Sequence, residues 1–228
     1  GGWGCWAVSN HDVPRVATRW SGGAPADTRR DRLWLTLLLT LRGSASIYQG
    51  EELGLPEAEV PFELLQDPYG RAFWPEFKGR DGCRTPMPWT PEAPHGGFTT
   101  GTPWLPVYGP HLPLAIERQA ADPDSMLAFS RTLLRWRRTQ PLLRTGAIRF
   151  IDAPEPLLHF ERHGDGTSSL QAIFNFDGEP VSVPLPDGLA PLVGQPLAAT
   201  SVIHTSDGKR MLQLAPYGVF FGASAGEG

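Results

Sequence analysis

The first part of the chain, residues 1–143, alternates apolar segments with polar stretches and long loops. Residues 5–8 form a short apolar run that ends at Ser9-Asn10-His11-Asp12, which predicts a buried strand with polar side chains at its carboxyl end. A helix is expected next, because Asp27 suits an N-cap, Gly43 suits a stop, and the residues between them are apolar at helical spacing. The apolar stripe of this helix consists of Leu33, Trp34, Leu37, Leu38 and Leu41.

A second short strand is predicted at residues 45–48, and it also ends in a polar stretch, Gln49-Gly50-Glu51-Glu52. The order of strand, helix and strand, with polar residues after both strands, is typical of a parallel α/β unit. Residues 56–121 then lack any sustained period and are rich in Pro, Gly and Trp. Because a connection of this length is expected only where it is functional, and because it opens from the polar end of a strand, we expect an active-site loop.

A further helix is predicted after this loop. Asp122-Pro123 offers an N-cap and a first-position proline, and Pro141 is expected to close the helix. Its apolar face is formed by Met126, Phe129, Leu133 and Trp136.

The second part of the chain, residues 144–228, consists of short strand patterns separated by turns rich in Gly and Asp. This pattern predicts an antiparallel β-sandwich or open barrel of about 80 residues with a structural role. The predicted strands are residues 147–151, 157–162, 170–176, 181–185, 202–204, 211–214 and 218–221. The expected fold class is therefore α/β in residues 1–143 followed by all-β in residues 144–228.

Composition and charge exclude several classes of partner. The 228 residues are 40% hydrophobic and 19% charged, with a net charge of −4, so there is no basic excess for a nucleic-acid partner. No apolar stretch is long enough to predict a membrane span. The two cysteines, Cys5 and Cys83, lack a metal-ligand spacing. We expect free, buried thiols in a reducing, cytoplasmic compartment, with a disulfide between them as the less favoured alternative. The histidines also lack a metal-ligand spacing, and neither a metal nor a cofactor is expected.

Candidate chemistry is concentrated in Asn10-His11-Asp12, which places an amide, an imidazole and a carboxylate side by side at a strand end. Such a cluster can hold sugar hydroxyls through paired donors and acceptors, and its carboxylate can offset positive charge in a transition state. The same tripeptide is also a good turn or capping sequence. The tripeptide alone leaves both interpretations open.

Four motifs give this tripeptide a context. Residues 9–15, followed by Thr18-Arg19-Trp20, resemble the fourth signature region of the α-amylase superfamily, glycoside hydrolase family 13. Residues 48–54 resemble the segment at the eighth barrel strand of that family. Residues 66–70 (Gln-Asp-Pro-Tyr-Gly) and 79–89 (Gly-Arg-Asp-Gly-Cys-Arg-Thr-Pro-Met-Pro-Trp) resemble the long loop after that strand in its α-glucosidase and oligo-1,6-glucosidase branch.

The resemblance implies a fold and a set of roles. Residues 1–143 match the last two βα units of a (β/α)8 TIM barrel, and residues 144–228 match the family's C-terminal β domain. Asp12 matches the carboxylate that stabilises the transition state without attacking or protonating, and His11 matches the imidazole that binds the glucose to be cleaved. Arg84 matches an arginine that binds the non-reducing glucose, although a loop-bracing pair with Asp81 is an equal alternative on the sequence alone.

Other residues receive structural interpretations. Glu51 and Glu52 are expected to open a short helix rather than to act as catalytic groups, and Glu63 and Asp67 suit either the mouth of the site or a helix cap. Trp34 and Trp136 are expected to pack in the core. The candidates for the rim of a pocket are Trp74, Trp89 and Trp104.

The two carboxyl groups that cleave the bond are not recognisable in this chain. Retaining glycosidases need a nucleophile and an acid/base, which the family places on the fourth and fifth barrel strands, the nucleophile in a Gly-Phe-Arg-x-Asp type of motif. We therefore expect part of a retaining α-glucosidase that acts on short oligosaccharides, lacks an N-terminal barrel portion, and is unstable and inactive alone. The alternatives are a trehalose- or sucrose-converting relative, a non-catalytic partner subunit, and an independent carbohydrate-binding role for the β domain.

Overall fold

The chain folds into two units in the computed structural model, which describes residues 2–166 and 168–224. One unit combines Ala7–Leu35 with Ala45–Arg131, and the other combines the residues up to Trp6 with Thr36–Ser44 and the residues from Thr132 onward. The helices are α1 Val16–Arg19, α2 Thr28–Thr40, α3 Pro68–Ala72, α4 Ile116–Ala121, α5 Met126–Arg138 and α6 Pro141–Thr145. The predicted domain boundary at residue 143 stays a prediction.

The two strands predicted in the first part of the chain are shorter than expected. Strand β1, Cys5–Trp6, and strand β2, Ser44–Ala45, form a two-stranded sheet. The expectation that residues 5–8 form a buried strand is wrong, because Cys5 is exposed and Trp6 is 46% exposed. A strand is buried on both faces only between further strands and helices, and among the described residues β2 is the one strand paired with β1. The expected barrel units stay a prediction.

Helix α2 forms where its capping signals predict it. The Asp27 carboxylate accepts the backbone N–H of Arg29 at 2.9 Å, which is the geometry of an N-cap. The most buried leucines of the helix are Leu33, Leu35, Leu38 and Leu39, at 1–2% exposure. The predicted apolar stripe is therefore only partly correct, since Trp34, Leu37 and Leu41 are half-buried, and Trp34 does not lie fully in the core. Gly43 has a φ of 141°, and an added Cβ there would collide with the carbonyl oxygen of Gly4, so the stop after the helix requires glycine.

Helix α5 begins later than its sequence signals predict. Ser125 Oγ accepts the N–H of Ala128 at 3.1 Å and is therefore the cap, whereas the carboxylate of Asp122 accepts the N–H of Asp124 in the preceding turn. The expected cap at Asp122-Pro123 is wrong, because the side chain of Asp122 already forms a hydrogen bond within the turn that precedes the helix. Pro141 does not close α5, which ends at Arg138; it opens α6, where its fixed φ suits the first helical position.

The long loop of residues 56–121 is held by short helical turns rather than by regular structure. Besides α3 and α4, it contains the 3-10 segments Phe62–Leu64, Asp81–Arg84, Pro94–Gly97 and Gly109–Leu114. Two buried carboxylates fix its middle part: Asp81 accepts the N–H groups of Gln66 at 2.6 Å and Asp67 at 2.8 Å, and Asp67 caps α3 through the N–H of Tyr69 at 3.2 Å. The loop is thus an ordered element that can carry a site.

The second part of the chain is an antiparallel β-sandwich, as predicted. A five-stranded sheet has the order β3-β4-β5-β10-β7, a three-stranded sheet has the order β6-β9-β8, and every neighbouring pair is antiparallel. The strand Leu189–Pro191 was not predicted. The strands are β3 Ala147–Ile151, β4 Leu157–His163, β5 Ser169–Asn175, β6 Val181–Pro184, β7 Leu189–Pro191, β8 Ser201–Ser206, β9 Lys209–Leu214 and β10 Val219–Ser224.

Both sheets contribute to one buried cluster, as in other face-to-face sandwiches. Its members are Ile173, Leu185, Leu189, Leu212, Leu214 and Phe220. None of the helices in the described part of the chain is both long enough and apolar enough to cross a membrane.

Candidate active site

Two of the predicted site residues, His11 and Asp12, lie in a tight turn. The backbone N–H of Asp12 donates to the side-chain oxygen of Asn10 at 2.8 Å, so the tripeptide forms the turn that its sequence also suggests. This turn does not exclude a functional role, since it leaves the side chains of His11 and Asp12 68% and 50% exposed. Both side chains are therefore accessible to a ligand.

One oxygen of the Asp12 carboxylate is held by two arginines. Oδ1 accepts a hydrogen bond from Arg84 Nη2 at 3.0 Å and another from Arg80 Nη1 at 3.1 Å. The other oxygen, Oδ2, lies 3.4 Å from Nε2 of His11. The carboxylate therefore has one oxygen fixed by charge-assisted bonds and one oxygen directed towards the imidazole, where hydroxyl groups can approach.

Arg84 connects the long loop to the turn. Its Nε donates to the carbonyl oxygen of His11 at 2.7 Å, in addition to its bond to Asp12. The alternative pair with Asp81 is not formed, because that carboxylate accepts the backbone N–H groups of Gln66 and Asp67 instead. The structure thus brings together all three residues that the sequence selected, whose roles stay predictions.

Sequence reasoning missed Arg80, which contacts the same carboxylate. Arg80 lies in the quoted Gly-Arg-Asp-Gly-Cys-Arg motif, but nothing in its spacing indicates a contact with Asp12, 68 residues away. Arg80 also binds Asp67 through Nε, at 2.8 Å, and through Nη2, at 3.1 Å. The hydrogen bonds from Arg80 lower the pKa of Asp67 to about 2, so Asp67 is a permanent anion at neutral pH.

A buried carboxyl group links the ends of the two short strand regions. Ser9 Oγ donates a hydrogen bond to Oε1 of Glu51, whose other carboxylate oxygen accepts the N–H of Tyr48 at 3.1 Å. Glu51 opens the 3-10 turn Glu51–Leu53, as its sequence predicts. Burial raises its pKa to about 7, although the hydrogen bonds from Ser9 and Tyr48 act in the opposite direction.

Arg15 closes a ring of contacts around the site. This fully buried arginine donates through Nη1 to the carbonyl oxygen of Gln49 at 2.6 Å. The side chains of Tyr48 and Gln49 in turn donate to the carbonyl oxygen of Cys83, at 3.0 and 3.3 Å. Because Cys83 precedes Arg84, the three segments around residues 9–15, 48–51 and 80–84 position one another.

A cavity of about 350 Å³ adjoins Arg84. Its lining includes Trp89 and Trp104, which are 49% and 62% exposed, as expected for residues on the rim of a pocket. Trp74 does not line this cavity; its ring lies 5.7 Å from that of Phe62. Trp136 packs in the core as predicted and is 7% exposed.

Cys5 and Cys83 are free as expected, but Cys5 is exposed and not buried. Within residues 2–166 and 168–224, no group of three or more His, Cys, Asp or Glu side chains is arranged to hold a metal ion.

The chain resembles known proteins over nearly its whole length. The model of the alpha-amylase catalytic domain matches residues 1–146. A probable alpha-glucosidase of Rhizobium meliloti (strain 1021) is 44% identical over 221 residues, which cover 96% of this chain and 39% of that protein. An oligo-1,6-glucosidase of Heyndrickxia coagulans is 28% identical over 204 residues, which cover 82% of this chain and 37% of that protein.

A solved structure supports the same relationship. The crystal structure of the alpha-glucosyl transfer enzyme XgtA has a TM-score of 0.88 and 47% identity, and the match covers 98% of this chain and 41% of that one. The chain spans about two fifths of the length of the curated relatives that it matches. The family model matches more than half of the chain, and the chain therefore belongs to the alpha-amylase family, glycoside hydrolase family 13.

Proposed function

We propose that this chain is part of a retaining α-glucosidase that releases terminal α-linked glucose from maltose or isomalto-oligosaccharides. The observation that carries the proposal is the position of Arg84, which bonds both to the carboxylate of Asp12 and to the backbone of His11. A loop arginine and a turn carboxylate from distant motifs thus form one accessible polar surface. The 44% identity to a protein described as a probable alpha-glucosidase supports the same substrate class.

The role proposed for Asp12 follows from the charge that develops on the sugar during cleavage. Cleavage of a glycosidic bond passes through a transition state with positive charge on the sugar ring. Asp12 provides a carboxylate whose free oxygen can hold sugar hydroxyls and offset that charge. His11 binds hydroxyls of the same sugar, and Arg84, which is 20% exposed, reaches the non-reducing glucose. An arginine at this end suits an enzyme that recognises the end of an oligosaccharide.

The nucleophile and the general acid are proposed to lie outside this chain. Its sequence has no motif of the nucleophile type, and Glu51, a buried carboxyl group with a raised pKa, is bound to Ser9 and to the N–H of Tyr48. We therefore expect the isolated chain to be inactive. The proposal also places the protein in the cytoplasm, with an oligosaccharide substrate, no cofactor, and no nucleic-acid or membrane partner.

A second candidate is glucosyl transfer rather than hydrolysis, and it is favoured by the 47% identity to the alpha-glucosyl transfer enzyme. The two activities share the first half of the reaction and differ in the acceptor, which is water or a second hydroxyl compound. Product analysis on maltose, isomaltose, sucrose and trehalose separates them. Transfer gives longer or rearranged saccharides, whereas complete hydrolysis gives only the free monosaccharides, which are glucose from all four substrates and also fructose from sucrose.

The test of the proposal uses both the 228-residue chain and the complete protein that contains it. Hydrolysis of nitrophenyl α-glucoside is expected from the complete protein and not from the chain. Asp12→Asn in the complete protein is expected to lower kcat by about 10²–10³-fold, whereas Asp187→Asn, at an exposed turn residue, should leave it unchanged. Turnover by the isolated chain, or a fully active Asp12→Asn variant, would refute the proposal.

A further inference from the structure

We propose that Arg80, held by the buried carboxylate of Asp67, is a positioning residue that fixes the orientation of Asp12. This inference rests on the proposed function, because it assigns Arg80 to the sugar-binding side of the same site. Asp67 and Arg80 both belong to the long loop of residues 56–121, and Asp12 belongs to the turn. The pair therefore forms a second link between loop and turn, separate from Arg84.

The first step of the argument is the rigidity of the Arg80 side chain. Its guanidinium binds Asp67 in two places, Nε to Oδ2 at 2.8 Å and Nη2 to Oδ1 at 3.1 Å. The Asp67 side chain is completely buried and also accepts the backbone N–H groups of Arg80 and Tyr69, at 2.8 and 3.2 Å. A two-point bond to a fixed carboxylate sets the plane of the guanidinium as well as its position.

The second step is the direction of the nitrogen that remains. With Nε and Nη2 bound to Asp67, Nη1 is the atom that contacts Asp12, at 3.1 Å from Oδ1. The guanidinium also lies 5.7 Å from the centre of the Tyr69 ring, a distance that allows a cation–π contact. Arg80 thus presents one N–H group to Asp12 in a direction that the two bonds to Asp67 determine.

The third step concerns the carboxylate itself. Arg80 and Arg84 both donate to Oδ1 of Asp12, and Arg84 is held separately by the carbonyl oxygen of His11. Because the Asp12 side chain is 50% exposed, packing alone does not fix its rotation. Two donors on the same oxygen oppose this rotation and keep Oδ2 on the side of His11. A carboxylate placed in this way requires no reorganisation when positive charge develops on the sugar.

The expected effect is therefore on turnover and not on substrate binding. Removing the Arg80 guanidinium leaves Arg84 and His11 in place, so the ground-state contacts that these two residues make to the sugar remain. Loss of orientation at a transition-state group is expected to lower kcat by about 10- to 100-fold with KM changed less than about threefold. A purely structural arginine would instead lower the folded fraction or change both constants.

The experiment compares Arg80→Ala with wild type in the complete protein, using nitrophenyl α-glucoside. Added guanidinium chloride at low millimolar concentration should restore part of the lost kcat, because the Arg80 side chain is 31% exposed and its removal leaves an accessible space beside Asp67. Arg80→Lys should recover less, since an ammonium group cannot bind two carboxylates in this planar arrangement. Arg71→Ala, at an exposed arginine of the same loop, is the matched control and should match wild type.

Three results would overturn the inference: wild-type kcat in Arg80→Ala, a rise in KM with unchanged kcat, or a loss of kcat that guanidinium does not restore. Thermal melting shows whether each variant is folded, and if Arg80→Ala does not fold, Arg80→Lys carries the first two criteria, which do not depend on restoration by guanidinium. A wild-type protein without any glucosidase activity contradicts the proposed function instead. The two failures are therefore distinguishable.

Discussion

Glu51 predicts a specific dependence of stability on pH. Its carboxyl group is 6% exposed and lies between Ser9 and Tyr48, and burial raises its pKa from 4.5 to about 7. A folded-state pKa above the unfolded value means that the folded protein binds the proton more tightly. The stabilising contribution of this group to the free energy of unfolding should therefore be fully present below pH 4.5. It should be lost as the pH rises through about 7.

The size of this effect follows from the pKa difference. At about 1.4 kcal/mol for each pH unit, the rise from 4.5 to about 7 corresponds to about 3 kcal/mol of unfolding free energy. The substitution Glu51→Gln keeps the shape of the side chain and removes its titration. The amide of this variant has a different hydrogen-bonding capacity towards Ser9, but this difference is the same at every pH and cancels when two pH values are compared.

The assay is urea denaturation of the complete protein at about pH 5 and about pH 8, followed by tryptophan fluorescence. Between these two values the wild type should lose about 2–3 kcal/mol more unfolding free energy than Glu51→Gln. Glu76→Gln, at an exposed carboxylate of the long loop, serves as the control and should behave as wild type. An equal pH dependence of wild type and Glu51→Gln would refute the assignment of a buried, proton-binding carboxyl group.

Three further predictions concern other parts of the molecule. Arg162 is fully buried and donates to the carbonyl oxygens of Thr40, Ala147, Leu143 and Gly146, so Arg162→Met should lower the unfolding free energy by about 3 kcal/mol in calorimetry. Arg149→Met, at an exposed ion pair with Glu161, should cost less than about 1 kcal/mol and is its control. Trp104→Ala should raise KM for both maltotriose and nitrophenyl α-glucoside, because its ring borders the cavity beside Arg84, which is proposed to bind the terminal glucose that both substrates share; an unchanged KM for both would contradict this role. Arg84→Lys should raise KM about 10-fold in steady-state kinetics, since it loses the planar contact to Asp12 and His11, and an unchanged KM would argue against sugar binding.

Local signals in the sequence predicted the parts of the fold that local interactions determine. Asp27 is an N-cap in the structure because its carboxylate reaches a backbone N–H group two residues away. The β-sandwich strands were predicted from alternating patterns and Asp-Gly turns, as at Asp207-Gly208, where both residues have positive φ. The short strand Leu189–Pro191 was missed because three residues are too few to show a period.

The candidate site was only partly predictable, because its contacts join residues far apart in the chain. Asn10-His11-Asp12 and Arg84 were selected through motifs, and the structure brings them together. The bonds of Arg80 to Asp12 and of Ser9 to Glu51 span 68 and 42 residues, and no spacing rule connects such positions. The burial predicted for residues 5–8 failed for a related reason, since it depends on neighbouring strands and not on the apolar run itself.

The measurement that tests the central claim most directly is the kcat of Asp12→Asn in the complete protein with nitrophenyl α-glucoside. The account predicts that the wild type releases glucose and that the variant loses about 10²–10³-fold in kcat while remaining folded. An Asp12→Asn variant with wild-type turnover, or a folded wild-type protein that cleaves no α-glucoside, would contradict the account.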